Sequence, residues 1–444
     1  MNELTPVYAL ATMIGALIAF QVLTRRFDPF APIWLFLVGI VHVYVIQALS
    51  YHEWAVRVRG TELVGEANFR ALWAIAWALA VYFLWPGRAA AKVLPRPPTR
   101  WGAATVQVVT PLLLVWGLAC TVIVAWFWGG ADGTGPSAEA ALLLQFPMIM
   151  VVAGVILIIT GRQPTRPRPW ATAAGVGTVV SYMLLWMFIG KRSHSLFAVL
   201  TGVCAFYVAR LRRPSWPVLI ATALVGSMAV GLSIGWRYYS NKEAKAKTIA
   251  DFVGFVATFD PSTILESVNL SDGDTLVRAS YETEEIGGFY LMMDTVPLKA
   301  DYDYGASYLR VFSTFIPRLV WADKPIFGRE KWVAAWIAGS EQKRELTFTG
   351  PSIGLLGATQ LNGGAWATLI VLGLLGATFR TGYEYFRMHA DVPWVQAWWT
   401  LTYYNAWLLT VGDDPCTWFY LNYAFTTMPP LILTWLLNRG DAPA

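Results

Sequence analysis

Residues 5–23 read Thr5-Pro-Val-Tyr-Ala-Leu-Ala-Thr-Met-Ile-Gly-Ala-Leu-Ile-Ala-Phe-Gln-Val-Leu23, without one charged side chain. A helix needs about 20 such residues to cross the hydrocarbon core of a bilayer. Working outward, the same rule marks eleven candidate spans, near 5–23, 30–50, 71–86, 103–128, 139–160, 170–189, 195–209, 217–236, 353–378, 393–412 and 416–436. The seventh and third are short, and the third has room to begin before Phe69. Composition agrees: 56% of the 444 residues are hydrophobic and 14% charged, against about 25% charged in soluble domains. The predicted fold is therefore an all-α polytopic membrane protein of about eleven transmembrane helices. It divides into an N-terminal transmembrane bundle at 1–236, a large loop with amphipathic helices at 237–352, and C-terminal spans at 353–444. Cys120, Cys204 and Cys416 lack metal-ligand spacing, and the histidines at 42, 52, 194 and 389 are scattered, so neither a disulfide framework nor a metal centre is expected. The first apolar run lacks a preceding basic region, so no cleavable signal peptide is expected.

Orientation follows from the cations, because short cytoplasmic loops are rich in Lys and Arg. Placing loops on alternate sides puts 15 Lys and Arg on one face, from Arg25 and Arg26 to Arg439, and 5 on the other: Arg57, Arg59, Arg70, Lys191 and Arg192. The N-terminus is then external, which in a bacterium with two membranes means periplasmic, and the C-terminus is cytoplasmic. The 237–352 segment, which holds 13 of the 33 Lys and Arg, falls on the outer face.

Inside the span cores one ionisable side chain stands out, His42, in the apolar run Val41-His-Val-Tyr, and it reads as a packed histidine. Ionisable groups at mid-bilayer mark ion and substrate pathways. Their scarcity weighs against a flippase or exporter and moves any chemistry to the outer surface.

Two outer pieces carry unusual charge. Gly190-Lys-Arg-Ser-His194 is a tight turn with two cations where the topology rule disfavours them. Lys191 and Arg192 could grip a lipid pyrophosphate or snorkel to any lipid phosphate; both readings stand. In the large loop, Ile249 to Phe259 has the apolar spacing of a helix lying on the interface, and an acidic patch follows at Asp272, Asp274, Glu282, Glu284 and Glu285, with Arg278 among it. Residues 308–321 read as an amphipathic helix stopped by Pro317. The piece Phe315-Ile-Pro-Arg-Leu-Val-Trp-Ala-Asp-Lys-Pro325 adds Arg318 and Lys324 to Arg310, three cations within fifteen residues on a Trp- and Phe-rich scaffold. That combination suits an anionic amphiphile.

This piece resembles the "iPR-x-x-Wp-x-KP" segment of bacterial oligosaccharide repeat-unit polymerases, the Wzy-type O-antigen and exopolysaccharide polymerases. Gly190-Lys-Arg-Ser-His-Ser-Leu resembles their "G-x-R-(S/T)" turn. Pro351-Ser-Ile-Gly-Leu-Leu-Gly, followed by Asn362-Gly-Gly, resembles the segment that re-enters the membrane after the large loop. Gly357 is followed by Ala358, where many relatives carry an acidic residue, so no catalytic carboxylate is implied there.

The resemblance implies a GT-C-like glycosyltransferase that needs neither metal nor cofactor. It would polymerise undecaprenyl-pyrophosphate-linked repeat units into a surface polysaccharide on the periplasmic face. Its partners would be lipid-linked glycan donor and acceptor, membrane lipids and a chain-length-regulating co-polymerase, with no nucleic acid. Lys191, Arg192, Arg318 and Lys324 would bind the pyrophosphate, with Arg310 and Arg278 next. The candidates for a general base are Asp323, Glu282, Asp294 and His194. An O-antigen ligase-like transferase would use the same donor, but such ligases usually carry a loop histidine, and 237–352 contains none.

Overall fold

A computed structural model describes residues 2–98, 101, 105–129, 146–190, 192–242, 248–260, 285–313, 321, 352–412, 423 and 426–438. Every regular element among them is helical. Also among them, seven helices are long and apolar enough to cross a membrane: Thr5–Leu23, Pro32–Ser50, Thr61–Leu84, Thr105–Ile123, Pro169–Ile189, Trp216–Ser233 and Gly354–Met388. Met148–Arg162, Ile249–Thr258 and Met428–Leu437 are shorter apolar helices. The set is that of a helical membrane protein, in which each helix satisfies its own backbone.

Local sequence explains the boundaries. Proline stands in the first turn of Thr5–Leu23, Pro32–Val41, Pro169–Ile189, Pro393–Tyr403 and Met428–Leu437, where its missing N–H costs nothing. Gly190 closes Pro169–Ile189 with φ 79°, the left-handed conformation that glycine tolerates. The third span is longer than the apolar run suggests: its helix begins at Thr61 and carries Glu66 and Arg70 before the apolar stretch. The expected span at 393–412 is two helices, Pro393–Tyr403 and Asn405–Val411. Of the expected span at 416–436, residues 423 and 426–436 are described, and the helix there is Met428–Leu437. In the large loop the expected helix at 308–321 is seen as Ala306–Ser313; of residues 314–321, Trp321 alone is described.

The chain forms two compact units, each assembled from separated pieces. The first comprises Met1–Leu94, Asp272–Tyr385 and Asn405–Tyr420. Its centre is the front part of the Gly354–Met388 helix. Residues 354–362 form helical turns that are buried throughout, the backbone departs from helical geometry at Gly363 (φ 152°) and Gly364 (φ 61°), and a second, half-exposed segment runs on to Met388. A kink of this kind needs glycine. The Glu285–Thr295 helix lies across the buried turns almost backbone to backbone. A Cβ on Gly288 would overlap the Ser352 carbonyl oxygen and stand 2.7 Å from the Ile353 Cα. On the other side, Pro32–Val41 continues into a π-helix at His42–Gln47, and the Tyr44 hydroxyl accepts the Leu356 backbone N–H at 3.0 Å.

The second unit comprises Pro95–Ser271, Phe386–Tyr404 and Leu421–Ala444. Met148–Arg162 is its most buried helix, packed closely on Pro169–Ile189 through small residues: a Cβ on Gly175 would lie 2.6 Å from the Gly154 carbonyl oxygen. In lipid, such close packing replaces the hydrophobic effect as the force joining helices. Where an interfacial helix is expected, the structure has the helix Ile249–Thr258, capped by the Thr248 hydroxyl. Phe252 docks edge-on against Trp236 and Phe188, while Ile249 and Val253 stay 73% and 60% exposed.

The close approach at Gly288 predicts that Gly288→Ala lowers the stability of the detergent-solubilised protein by about 1–3 kcal/mol, the usual cost of overpacking. Gly254→Ala, where a Cβ meets nothing within 4 Å, serves as the control. Thermal unfolding of both variants measures the difference, and equal melting temperatures would refute the contact.

Candidate functional site

One group of polar residues of the first unit gathers where the Thr61–Leu84 helix begins, the end that the charge pattern predicts to be external. Arg59 closes the His52–Arg59 helix, and its Nη1 donates to Asp294 Oδ2 at 2.8 Å. Lys299 Nζ donates to the same oxygen at 2.9 Å. Asp294 lies in the last turn of the Glu285–Thr295 helix, so one carboxylate oxygen joins two cations from distant parts of the chain.

Arg70, just before the apolar stretch of the Thr61–Leu84 helix, donates from Nη1 to Gln360 Oε1 at 2.5 Å, and its Nη2 stands 3.6 Å from Glu66 Oε1. Gln360 belongs to the buried turns before the kink, and its Nε2 donates to the Val296 carbonyl at 2.6 Å. The Arg70 group is thereby tied to the stretch of chain that carries Asp294. Deeper in, Gln47 Nε2 donates to Glu285 Oε2 at 2.7 Å, and Gln47 Oε1 accepts the Ile286 N–H at 3.2 Å. The π-turn sets that glutamine by rotating it relative to a plain helix. Tyr290 donates to Asn68 Oδ1 at 2.8 Å, and Asn68 donates to the Glu3 carbonyl at 2.9 Å. Tyr302 closes the edge, its hydroxyl 2.9 Å from where a Cβ on Gly364 would stand.

Asp294 is held as an anion. Burial pushes its carboxyl up, but the hydrogen bond and charge of Lys299 and those of Arg59 outweigh burial and keep it below the usual carboxylate value. A carboxylate stabilised in this way is a weak base. It is well suited to fixing two cations in place. The Arg59 Nε is buried with no hydrogen-bond partner among the described residues. Arg59, Lys299 and Arg70 face two acids, the half-buried Asp294 and the exposed Glu66, and the surplus of one cation among these side chains favours an anionic ligand.

The second unit contains the other sequence-predicted group. Helix Arg192–Val208 opens directly after the Gly190 turn. His194 is buried, its ring stacked on Trp186 at 4.1 Å, with Nδ1 3.2 Å from Ser193 Oγ. Tyr404 donates to the Ser193 carbonyl at 2.6 Å, and the Arg192 charge acts on that hydroxyl. Trp236 donates to the Phe188 carbonyl at 2.6 Å. The turn is thus locked into an aromatic shell that fixes its backbone.

Of the residues selected from sequence, Asp294 and Arg310 belong to the first unit and Arg192 and His194 to the second. The Arg310 backbone is helical, and its side chain lies outside the described set, as do Lys191, Arg278, Glu282, Arg318, Asp323 and Lys324. Asp294's described partners, Arg59 and Lys299, were not selected. Neither were Arg70, Gln47 and Gln360. The available signal was Arg70 itself, which directly precedes the apolar stretch from Ala71: a cation at the edge of a span is costly unless it is matched.

Because the Asp294 carboxyl is depressed, its contribution to stability is present above the unfolded carboxylate value and is lost as pH falls through the lower folded value. Unfolding followed from pH 6 to pH 2 should show a loss of about 1 kcal/mol from this partly exposed cluster, and Asp294→Asn should lack that loss. An identical pH profile for the two proteins would remove Asp294 from the cation clamp. Compared with known proteins, the chain matches no family model, no curated protein and no solved structure.

Proposed function

We propose that the chain is a membrane-embedded glycosyltransferase that polymerises undecaprenyl-pyrophosphate-linked repeat units into a surface polysaccharide. In this reading it is a GT-C-like protein of about eleven spans in the bacterial inner membrane, with its N-terminus and large loop in the periplasm and its C-terminus in the cytoplasm. The observation that carries the reading is the joining of Arg59, Arg70 and Lys299 to the buried turns 354–362 and the helix beside them. Those turns carry the segment that resembles the polymerases' re-entry motif, and the broken helix at Asn362-Gly-Gly gives that motif a physical role.

The chemistry asks for what such a cluster supplies. The leaving group is a lipid pyrophosphate, which arrives as an anion at head-group height. Fixed cations there stabilise the charge that develops as the glycosidic bond breaks. Asp294 orients two of them; Gln360 orients the third. Arg318 and Lys324, from the stretch that carries the resemblance, would extend the same positive surface; Lys191 and Arg192 stay candidates for pyrophosphate binding through the resemblance of the Gly190 turn. The acceptor hydroxyl loses its proton to a base for which Asp323, Glu282 and His194 remain candidates. Asp294, with its depressed carboxyl, fits the orienting role better.

The reading predicts that Arg70→Ala and Arg318→Ala leave membrane expression intact while cells accumulate glycans one repeat unit long. Immunoblots of the surface polysaccharide measure chain length, and long chains persisting in both variants would overturn the proposal. Purified protein should elongate a lipid-linked repeat unit in the presence of EDTA. Activity restored only by added divalent metal would refute the metal-independent mechanism.

A further inference from the structure

The second unit contains a cavity of about 700 Å³ that the proposed transferase does not use. It lies beside the turn joining Met148–Arg162 to Pro169–Ile189, on the side that the cation asymmetry predicts to be cytoplasmic. Its wall is rich in donors: the guanidinium-bearing Arg166 and Arg168, the Gln163 amide, the Trp101 indole and the Thr160 hydroxyl, with Asp391 the one acid lining it among the described residues. Trp101 Nε1 and Thr160 Oγ1 are buried and have no hydrogen-bond partner among the described residues. Unmatched buried donors of this kind are costly unless something accepts from them. No ion pair to Arg166 or Arg168 is found among the described residues.

The surroundings reinforce the sign. Arg168 and Pro393 bring the first turns of two helices, Pro169–Ile189 and Pro393–Tyr403, to the cavity wall, and helix N-termini carry partial positive charge. The Arg162 guanidinium lies 3.3 Å over the Phe206 ring, within electrostatic range of Arg210 and Arg212. A volume of 700 Å³ lies within the range of small-molecule sites, roughly 300–1,000 Å³, and far exceeds what one water requires. Val106, Pro164 and Pro393 add apolar wall beside the donors.

We propose that this cavity binds a phosphate-bearing anion, with Arg166 and Arg168 pairing to its oxygens and the Trp101 N–H and Thr160 hydroxyl donating from the interior. The proposal does not rest on the transferase reading. Its ligand is either the headgroup of an anionic phospholipid or a soluble phosphate compound, and the two share the same recognition.

Full-length protein in neutral detergent is titrated calorimetrically with dihexanoyl phosphatidic acid, with inorganic phosphate, and with dihexanoyl phosphatidylcholine as the zwitterionic control. Phosphatidic acid or phosphate should bind with one site per chain. Lipid binding without phosphate binding assigns a headgroup; the reverse assigns a soluble anion; mutual competition assigns the shared phosphate. The Arg166→Gln/Arg168→Gln double variant should weaken binding tenfold or more. Arg25→Gln/Arg26→Gln, which removes exposed cations of the first unit, should leave it unchanged. Trp101→Phe, which keeps the ring and removes the donor, should weaken it severalfold and tests the site even if the double variant fails to fold. Binding of neither phosphatidic acid nor phosphate by the parent protein, or equal losses in the two double variants, overturns the proposal.

Discussion

The polar end of the first unit depends on one close approach, that of the Glu285–Thr295 helix to the backbone at Ser352 and Ile353. With hydrogen in place of a side chain at Gly288, the helix settles directly on the buried turns 354–362. That distance sets the rest. It brings Asp294 to Arg59 and Lys299, Val296 to Gln360, and Glu285 to Gln47. An added methyl group at Gly288 would move every one of these pairs at once, because they lie along a single rigid helix and the chain leaving it.

The buried turns are themselves an unusual element for a membrane. Seven of the ten side chains from Ile353 to Asn362 are apolar or glycine, yet Thr359, Gln360 and Asn362 are buried with them. Each has a local partner: Thr359 bonds the Leu356 carbonyl and Thr368, Gln360 bonds Arg70 and Val296, and Asn362 bonds the Ala358 carbonyl. The break at Gly363 and Gly364 frees carbonyls at the end of those turns, and the Asp303 N–H takes up the one at Leu361 at 2.8 Å. Irregular backbone at membrane depth persists only where protein satisfies it in this manner.

The helices are legible in the sequence because lipid imposes one rule on every residue they contain. A hydropathy window finds 5–23, 170–189 and 217–236 close to where the structure has helices. The same window starts the third span at Ala71 and so leaves Arg70 among the loop charges, although the helix begins at Thr61. The partners of the cation cluster are harder still. Arg70 and Gln360 are 290 residues apart, and Arg59 and Asp294 are 235 apart; no periodicity connects such pairs. The Asn362-Gly-Gly motif was visible as a resemblance, but its meaning as a kink with buried turns on one side required the backbone angles. His194 shows the reverse: selected for its titratable ring, it is stacked on Trp186 in an aromatic shell, an environment that adjacent sequence does not reveal.

The interleaving of the first unit has a consequence for how the protein is made. Met1–Leu94 leaves the ribosome well before Asp272–Tyr385 exists. At about 5–20 residues per second, the early helices wait on the order of tens of seconds for the turns that complete them. During that interval Gln47, Asn68 and Arg70 lack Glu285, Tyr290 and Gln360, the partners that satisfy them in the finished fold. An unmatched polar group in hydrocarbon costs several kcal/mol, so these helix ends must meanwhile be served by water, headgroups or the insertion machinery. The earlier segment of the unit is finished only with the later one.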